Sequence, residues 1–394
     1  MADLSIHFCD IKFCNPFILS TSICSNSTEM LGRAFDLGWG GAVIRTTSLD
    51  LANRKLNSPI ISGYYSEEGK LIAVQRIDDV QQHIDAVQGE IKILKRAYPD
   101  KVIIANIEVN LNENIEGLIR RLETAGTDII ECSLNTFRLN GIDYVQAICR
   151  MIQRIREVSK SIPVIIKIPP LFTDIPYAAQ SIKNSGANGI TAINPIKSLI
   201  GIDIDNFIPY PNVNGSSVFG ELSGYAIKPI ALRCVGEIAQ TVDISIGAAG
   251  GISKWQDAVE FILVGAKSLQ VCSEVMKSGY GIIRDLIEGM KQYLDQKGFT
   301  NLEQLVGKSL PYIKRTSHDF QDSEFQVSCT INKHQCIKCG ACYISCRDNG
   351  FQAIELDMDK LPVINSRRCR GCNLCSTICP VKDCIEIKKF VKKK

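Results

Sequence analysis

A chain of 394 residues is too long for one small domain and long enough for a barrel-sized domain with a small module attached. Its 45% hydrophobic and 22% charged residues are those of an ordinary globular protein, and a net charge of +3 gives no field that would single out nucleic acid. The opening Met1-Ala-Asp-Leu-Ser-Ile-His7 lacks the basic-then-apolar plan of a secretion signal, and no run of about twenty apolar residues offers a membrane span.

In chain order, Leu4–Asn15 alternates as a β-hairpin does and is expected to plug the floor of the first domain. Eight short apolar runs then read as strands: Phe17–Thr21, Ala42–Thr46, Val102–Val109, Asp128–Leu134, Pro163–Ile168, Gly189–Asn194, Ile244–Ala249 and Ser268–Ser273. Most are followed by a helical pattern, as at Ser27–Leu37 and Asp257–Leu263. Eight parallel strands with interleaved helices predict a (β/α)8 TIM barrel, an α/β fold with its active site at the strands' C-terminal ends. An open doubly wound sheet would want a Gly-x-Gly-x-x-Gly turn after an early strand, and the sequence has none.

Between the sixth strand and its helix, Pro195–Gly224 is long and rich in Gly, Pro, Asn and Ser, which predicts a lid or cap. The barrel is expected over 1–300 and a linker over 301–332, with Leu302–Val306 as a short helix. The last domain, 333–394, ends in a lysine-rich run from Lys388 to Lys394, read as a solvated tail, with a basic arm for an acidic partner as the alternative.

That last domain carries two matched arrays, Cys336-x2-Cys339-x2-Cys342-x3-Cys346 and Cys369-x2-Cys372-x2-Cys375-x3-Cys379-Pro380. The spacing lets one tight loop present three thiolates to a cubane while the fourth reaches its neighbour. The prediction is a ferredoxin-like domain with two [4Fe-4S] clusters, one on Cys336, Cys339, Cys342 and Cys379, the other on Cys369, Cys372, Cys375 and Cys346. Zinc is the alternative, but ribbons rarely carry a third cysteine two residues on. Such clusters move single electrons, and their reduced thiolates point to the cytoplasm. The nine remaining cysteines (Cys9, Cys14, Cys24, Cys132, Cys149, Cys234, Cys272, Cys329 and Cys384) are expected as small buried hydrophobes.

At the barrel mouth, strand seven ends in Ala248-Ala249-Gly250-Gly251 and strand eight in Val271-Cys272-Ser273, where barrels commonly bind phosphate. Glycines let backbone amides approach closely, and Ser273, Ser223 and Gly224 add hydroxyls and a further amide. The alternative for Gly250-Gly251 is a plain tight turn. Lys167 ends an apolar strand, where an ammonium needs an anionic or carbonyl-rich partner, or else must reach the surface. Asn194 ends the next strand at the same rim.

These residues resemble the dihydropyrimidine dehydrogenase branch of the dihydroorotate dehydrogenase superfamily, in its bacterial NAD-dependent layout. The resemblance rests on Asn15-Pro16-Phe17, Ala34-Phe-Asp-Leu-Gly-Trp-Gly40, Thr47-Ser48-Leu49-Asp50, Gly186-Ala-Asn-Gly189, Ser223-Gly224 through Arg233, Gly250-Gly251-Ile252, Leu269-Gln-Val-Cys-Ser273, the cysteine arrays and Gly350-Phe-Gln-Ala-Ile354. It implies FMN, with Thr21 and Ser22 along the flavin, Arg45, Lys167 and Asn194 at its ring or the substrate, and Ser223, Gly224, Gly250, Gly251, Cys272 and Ser273 at the phosphate. Gln75, Ser133, Asn135 and Asn194 would line the small-molecule substrate.

The active-site positions depart from the family pattern. Where the family reads Asn-x-Ser-Cys-Pro after strand four, this chain has Ser133-Leu134-Asn135-Thr136-Phe137. Thr136 thus replaces the usual cysteine acid/base, and a threonine hydroxyl donates a proton poorly unless activated. The following loop is short, Arg45 replaces a lysine, Gln75 and Ile77 replace an asparagine and a glutamate, and Pro195 replaces a threonine. The catalytic candidates are Thr136, Lys167 and Arg45. The expected reaction reduces or forms a carbon–carbon double bond beside a carbonyl, as in uracil or thymine, with electrons relayed through the clusters. Alternatives are a different unsaturated substrate, with Tyr64, Tyr65, Asn135 or Arg45 assisting the proton, or a non-catalytic electron-transfer subunit. Without a nicotinamide fingerprint, a separate FAD-bearing, NAD(P)H-oxidising subunit or a ferredoxin is expected as partner, in an assembly of like or unlike subunits.

Overall fold

A computed structural model gives the fold, describing residues 2–49, 58–77, 81–108, 115–133, 143–159, 161–170, 172, 174–316 and 325–391. The chain divides into two compact units, Met1–Ile313 and Lys314–Lys394.

In the first unit the barrel strands are β1 (Phe17–Leu19), β2 (Gly41–Ser48), β3 (Val102–Glu108), β4 (Ile129–Ser133), β5 (Val164–Ile168), β6 (Gly189–Ala192), β7 (Ser245–Ala249) and β8 (Ser268–Val271). All neighbours pair in parallel, and β1 pairs with both β8 and β2, which closes the barrel. The strands are rich in isoleucine and valine because both faces are covered, the inner by the core and the outer by helices. Helices start where the sequence supplies a cap. Ser27 accepts the Met30 amide at 3.3 Å ahead of Thr28–Leu37, and Asp143 accepts the Val145 amide at 2.8 Å ahead of Tyr144–Val158.

The expected floor hairpin is present as Ile6–Phe8 and Ile11–Phe13. Phe8 and Phe13 are fully buried and meet edge to face at 6.3 Å.

Pro195–Gly224 forms strands Ile196–Ser198 and Gly220–Ser223, with the small pair Ile202–Asp203 and Ile208–Pro209 between them. Gly220–Ser223 pairs with Leu71–Arg76, which pairs with Ile61–Tyr65, making a four-stranded antiparallel sheet. This cap has two sources, since the excursion after β2 supplies half of it.

Within the segment read as a linker, Leu302 and Leu305 are buried in the barrel core as a 3-10 turn, Leu302–Leu305. In the second unit, Phe325–Ile331 pairs antiparallel with Ile385–Val391. Lys388 and Lys389 are therefore part of a strand and not of the expected solvated tail. Residues 392–394 lie outside the described residues. Two helices, Ala341–Asn349 and Leu374–Thr377, and the hairpin Ile354–Leu356 with Pro362–Ile364 complete the unit. Of the cysteines expected as buried, Cys14 is exposed, and Cys149 and Cys272 are half-buried.

Candidate functional site

Parallel register aims side chains from six strands and strand ends at one another inside the barrel. The Lys167 ammonium, at the end of β5, donates to Gln270 Oε1 at 2.7 Å and to Ser20 Oγ at 3.3 Å, and stands 3.6 Å from Glu131 Oε1. Gln270 Nε2 donates to Glu131 Oε2 at 2.5 Å, and Asn106 Nδ2 donates to Glu131 Oε1 at 3.0 Å. Thr46 Oγ1 donates to Asn106 Oδ1 at 3.0 Å. Glu131 is fully buried and Lys167 is 5% exposed, so each charge is held by its partner and by donors or acceptors from several strands. The Asn194 amide donates to the Lys167 carbonyl at 3.2 Å, tying the end of β6 to β5.

The residues expected at a phosphate also converge. The hydroxyls of Ser223 and Ser273 lie 2.8 Å apart, though they are far apart in sequence. Gly250, Gly251 and Gly224 have φ of +120°, +81° and +104°, which side chains rarely adopt. A Cβ on Gly251 would fall 2.5 Å from Lys228 Cβ, and one on Gly224 would fall 2.9 Å from Ala73 Cα. The loop after β7 thus lies directly on the start of helix Lys228–Ala239, whose 3-10 lead-in, Tyr225–Ile227, begins at Ser223-Gly224. Close backbone, two hydroxyls and a helix start suit a phosphate group.

Beneath this loop Lys228 donates to Asp257 Oδ1 at 2.5 Å and lies 2.7 Å from Glu260. Asp257 also accepts from the backbone and hydroxyl of Ser253 and from the Lys254 amide. Burial pushes the Asp257 carboxyl up, but the Lys228 and Ser253 donors outweigh it and hold it below the ordinary carboxylate value. A lowered native pKa contributes stability above the unfolded value of about 4, which is lost as pH falls through the native one. Asp257→Asn should cost about 1–3 kcal/mol at neutral pH. Thermal melts should show that deficit shrinking steadily as the pH is taken below about 4; a deficit independent of pH would count against the ionised pair.

Other expected site residues are placed differently. Ser22 caps the 3-10 turn Ile23–Ser25 by accepting the Cys24 amide at 3.0 Å, while Thr21 is half-buried beside it. Gln75 is fully buried: it donates to the Tyr210 carbonyl at 3.3 Å and accepts from the Ser198 hydroxyl at 2.7 Å, which fastens the cap sheet. Arg45 is buried on β2, and its charge bears on Glu90 of helix Ile84–Ala97. Cys272 is the residue before helix Ser273–Ser278, and Ser133 ends β4 half-buried. Asn135 and Thr136 lie outside the described residues. Sequence reading missed Ser20, Asn106, Glu131 and Gln270, whose signal was a polar residue within or just after an apolar strand.

In the second unit, Cys346, Cys369, Cys372 and Cys375 line one cavity. Cys342 lies close enough to Cys336, Cys339 and Cys379 for their charges to act on its thiol. Cys346 of the first array thus lies with three cysteines of the second, and Cys379 of the second lies near Cys342 of the first. Among the described residues no three donors are drawn in tightly enough for a single metal ion; eight cysteines in two groups of four are the donor set that two [4Fe-4S] clusters take.

The dihydroorotate dehydrogenase family model matches residues 3–294, and a 4Fe-4S dicluster domain matches 329–387. The chain is 37% identical, over 100% of its length and 97% of the relative's, to the NAD-dependent dihydropyrimidine dehydrogenase subunit PreA of Escherichia coli (strain K12). It is 33% identical, over 80% of its length and 78% of the relative's, to the chloroplastic dihydropyrimidine dehydrogenase (NADP(+)) of Arabidopsis thaliana. In fold it is similar to a solved DHODH from Eimeria tenella in complex with ferulenol, with a TM-score of 0.65 at 18% identity over 78% of this chain and 88% of that one. Among the described residues no helix is long and apolar enough to cross a membrane. With a closed eightfold barrel, a glycine cradle at its mouth and a dicluster module on the same polypeptide, the chain belongs to the dihydroorotate dehydrogenase family, as a flavin- and iron-sulfur-dependent oxidoreductase.

Proposed function

We propose that this protein is the pyrimidine-reducing subunit of a dihydropyrimidine dehydrogenase, acting on the ring carbon–carbon double bond of uracil or thymine, in the reducing or the reverse direction. The observation that carries this reading is the match to the Escherichia coli subunit, which runs through both units from end to end. FMN, when bound, links two-electron chemistry at a substrate carbon with one-electron transfer to the clusters.

The chain's own residues suit that task. Ser223, Gly224, Gly250, Gly251 and Ser273 would hold the flavin phosphate, and their convergence supports this. Lys167 would set a positive charge where the reduced ring gathers negative charge, and Glu131 with Gln270 fixes its direction. Asn194 would present its amide at the same rim. Thr136, in the place of the family's cysteine, would return the substrate proton, and Arg45 would act through charge alone. Cys336, Cys339, Cys342 and Cys379 would ligate one cluster, and Cys346, Cys369, Cys372 and Cys375 the other. Electrons would come from a separate FAD-bearing, NAD(P)H-oxidising subunit or a ferredoxin, since the chain has no nicotinamide fingerprint and its relative is itself a subunit. Reduced thiolates favour the cytoplasm as its setting.

The test is anaerobic. The flavin absorbance of chemically reduced protein should return rapidly on adding uracil or thymine. Return with orotate or an unrelated enone alone would overturn the pyrimidine substrate and leave the oxidoreductase standing. Absence of FMN from denatured protein would overturn both.

A further inference from the structure

The cavity that takes Cys346, Cys369, Cys372 and Cys375 has a fifth thiol in its wall, Cys329. Cys329 is 3% exposed and sits mid-strand in Phe325–Ile331, opposite Ile387. Its thiol lies close enough to Cys375 and Cys369 for both to act on it. A cubane needs four thiolates, so the site holds one sulfur more than its cluster uses.

An internal repeat allows the two cluster sites to be compared position by position. Ile331-Asn332 precedes Cys336 as Ile364-Asn365 precedes Cys369, and the local bonding is the same. Cys336 and Cys369 donate their amides to the carbonyls of Asn332 and Asn365, at 3.1 and 2.9 Å. Those asparagine side chains accept the amides of His334 and Arg367, at 3.1 and 3.0 Å. In this repeat the counterpart of Cys329 is Pro362, which has no thiol to offer. Beside the first cluster site, Cys384 is also buried and close to Cys379, but its thiol donates to the Asn332 carbonyl at 3.7 Å and so has a backbone partner as well. Cys329 has no such backbone acceptor among the hydrogen bonds of the described residues; its neighbours are the ligand sulfurs themselves.

We infer that Cys329 is a reserve ligand for the second cluster, placed to take over an iron from Cys369 or Cys375. The exchange breaks one iron–sulfur bond to the departing cysteine and forms one to Cys329. The proton of the Cys329 thiol passes to the leaving thiolate, and no electron is gained or lost. A buried thiol already in the cavity wall is placed for this, its proton passing to water where the other ligand is absent, so cluster and electron path survive the loss of one ligand.

This rests on the two-cluster reading, and iron and acid-labile sulfide counts on purified wild-type protein test that reading first: content well below two cubanes would overturn it there. Given full wild-type content, Cys369→Ala should keep the iron and sulfide of both clusters, with a changed electron paramagnetic resonance line for the reduced second cluster. Cys369→Ala with Cys329→Ala should fall to about half the wild-type iron, the content of one cluster. Cys369→Ala with Cys384→Ala should match Cys369→Ala alone. If Cys369→Ala already loses half the iron, or the double variant with Cys329→Ala loses none, Cys329 is not a reserve ligand. Cys375→Ala, with and without Cys329→Ala, makes the same comparison from the other neighbouring ligand should the first variant be insoluble.

Discussion

Replacing Lys167 by methionine is expected to destabilise the barrel by about 3–5 kcal/mol, because it strands the Glu131 carboxylate in a fully buried position. Gln270 and Asn106 would still donate to that carboxylate, but nothing would balance its charge. Denaturant unfolding followed by a barrel probe reads the loss. The same change should lower substrate-dependent flavin reoxidation by about 10²-fold or more, if the ammonium also serves the reduced ring. Structure and chemistry separate in the double variant Lys167→Met with Glu131→Gln. Removing the orphaned charge should restore most of the stability, since a neutral amide can still bond Asn106 and Gln270. It should restore none of the rate. Recovery of the rate in the double variant would make Lys167 a structural ion-pair partner only.

How much of this was legible beforehand depended on range. The eight barrel strands are written in local runs such as Val164-Ile-Ile-Lys-Ile168 and Ile129-Ile-Glu-Cys-Ser133, since parallel strands covered on both faces need β-branched residues throughout. The cysteine arrays are equally local. The cap was only half visible: Leu71–Arg76 finds its partner in Gly220–Ser223, far along the chain, and no local pattern specifies that pairing. The interior network was missed for a related reason. A polar residue inside an apolar strand, such as Gln270 or Asn106, announces itself, but which neighbours it meets depends on the register of six strands and strand ends around a closed barrel. Gln75 shows the reverse side of the same dependence on pairing. Its position suggested substrate, yet pairing across the cap uses both ends of its amide. Thr136, the clearest departure from the family pattern, lies outside the described residues.

Gly251→Ala should remove FMN while sparing the clusters. At φ +81° an alanine costs about 1–2 kcal/mol, and overpacking adds about 1–3 kcal/mol. The new methyl would lie 2.5 Å from Lys228 Cβ and 2.9 Å from the Lys228 Cα and backbone nitrogen, so a rotamer change cannot relieve it. Either the loop after β7 or the start of helix Lys228–Ala239 must shift, and Asp257 and Glu260 hold Lys228 in place. The loop therefore yields, which takes the Gly250-Gly251 backbone away from the paired hydroxyls of Ser223 and Ser273. Purified variant should carry little flavin but the wild-type iron content, because the cysteines belong to the other compact unit. Gly281→Ala is the matched control: its φ is −61° and an added Cβ meets nothing within 4 Å, so flavin and stability should stay at wild-type levels. Full flavin occupancy in Gly251→Ala would move the phosphate site away from this loop, whereas loss of flavin and iron together would show that the two units do not fold independently.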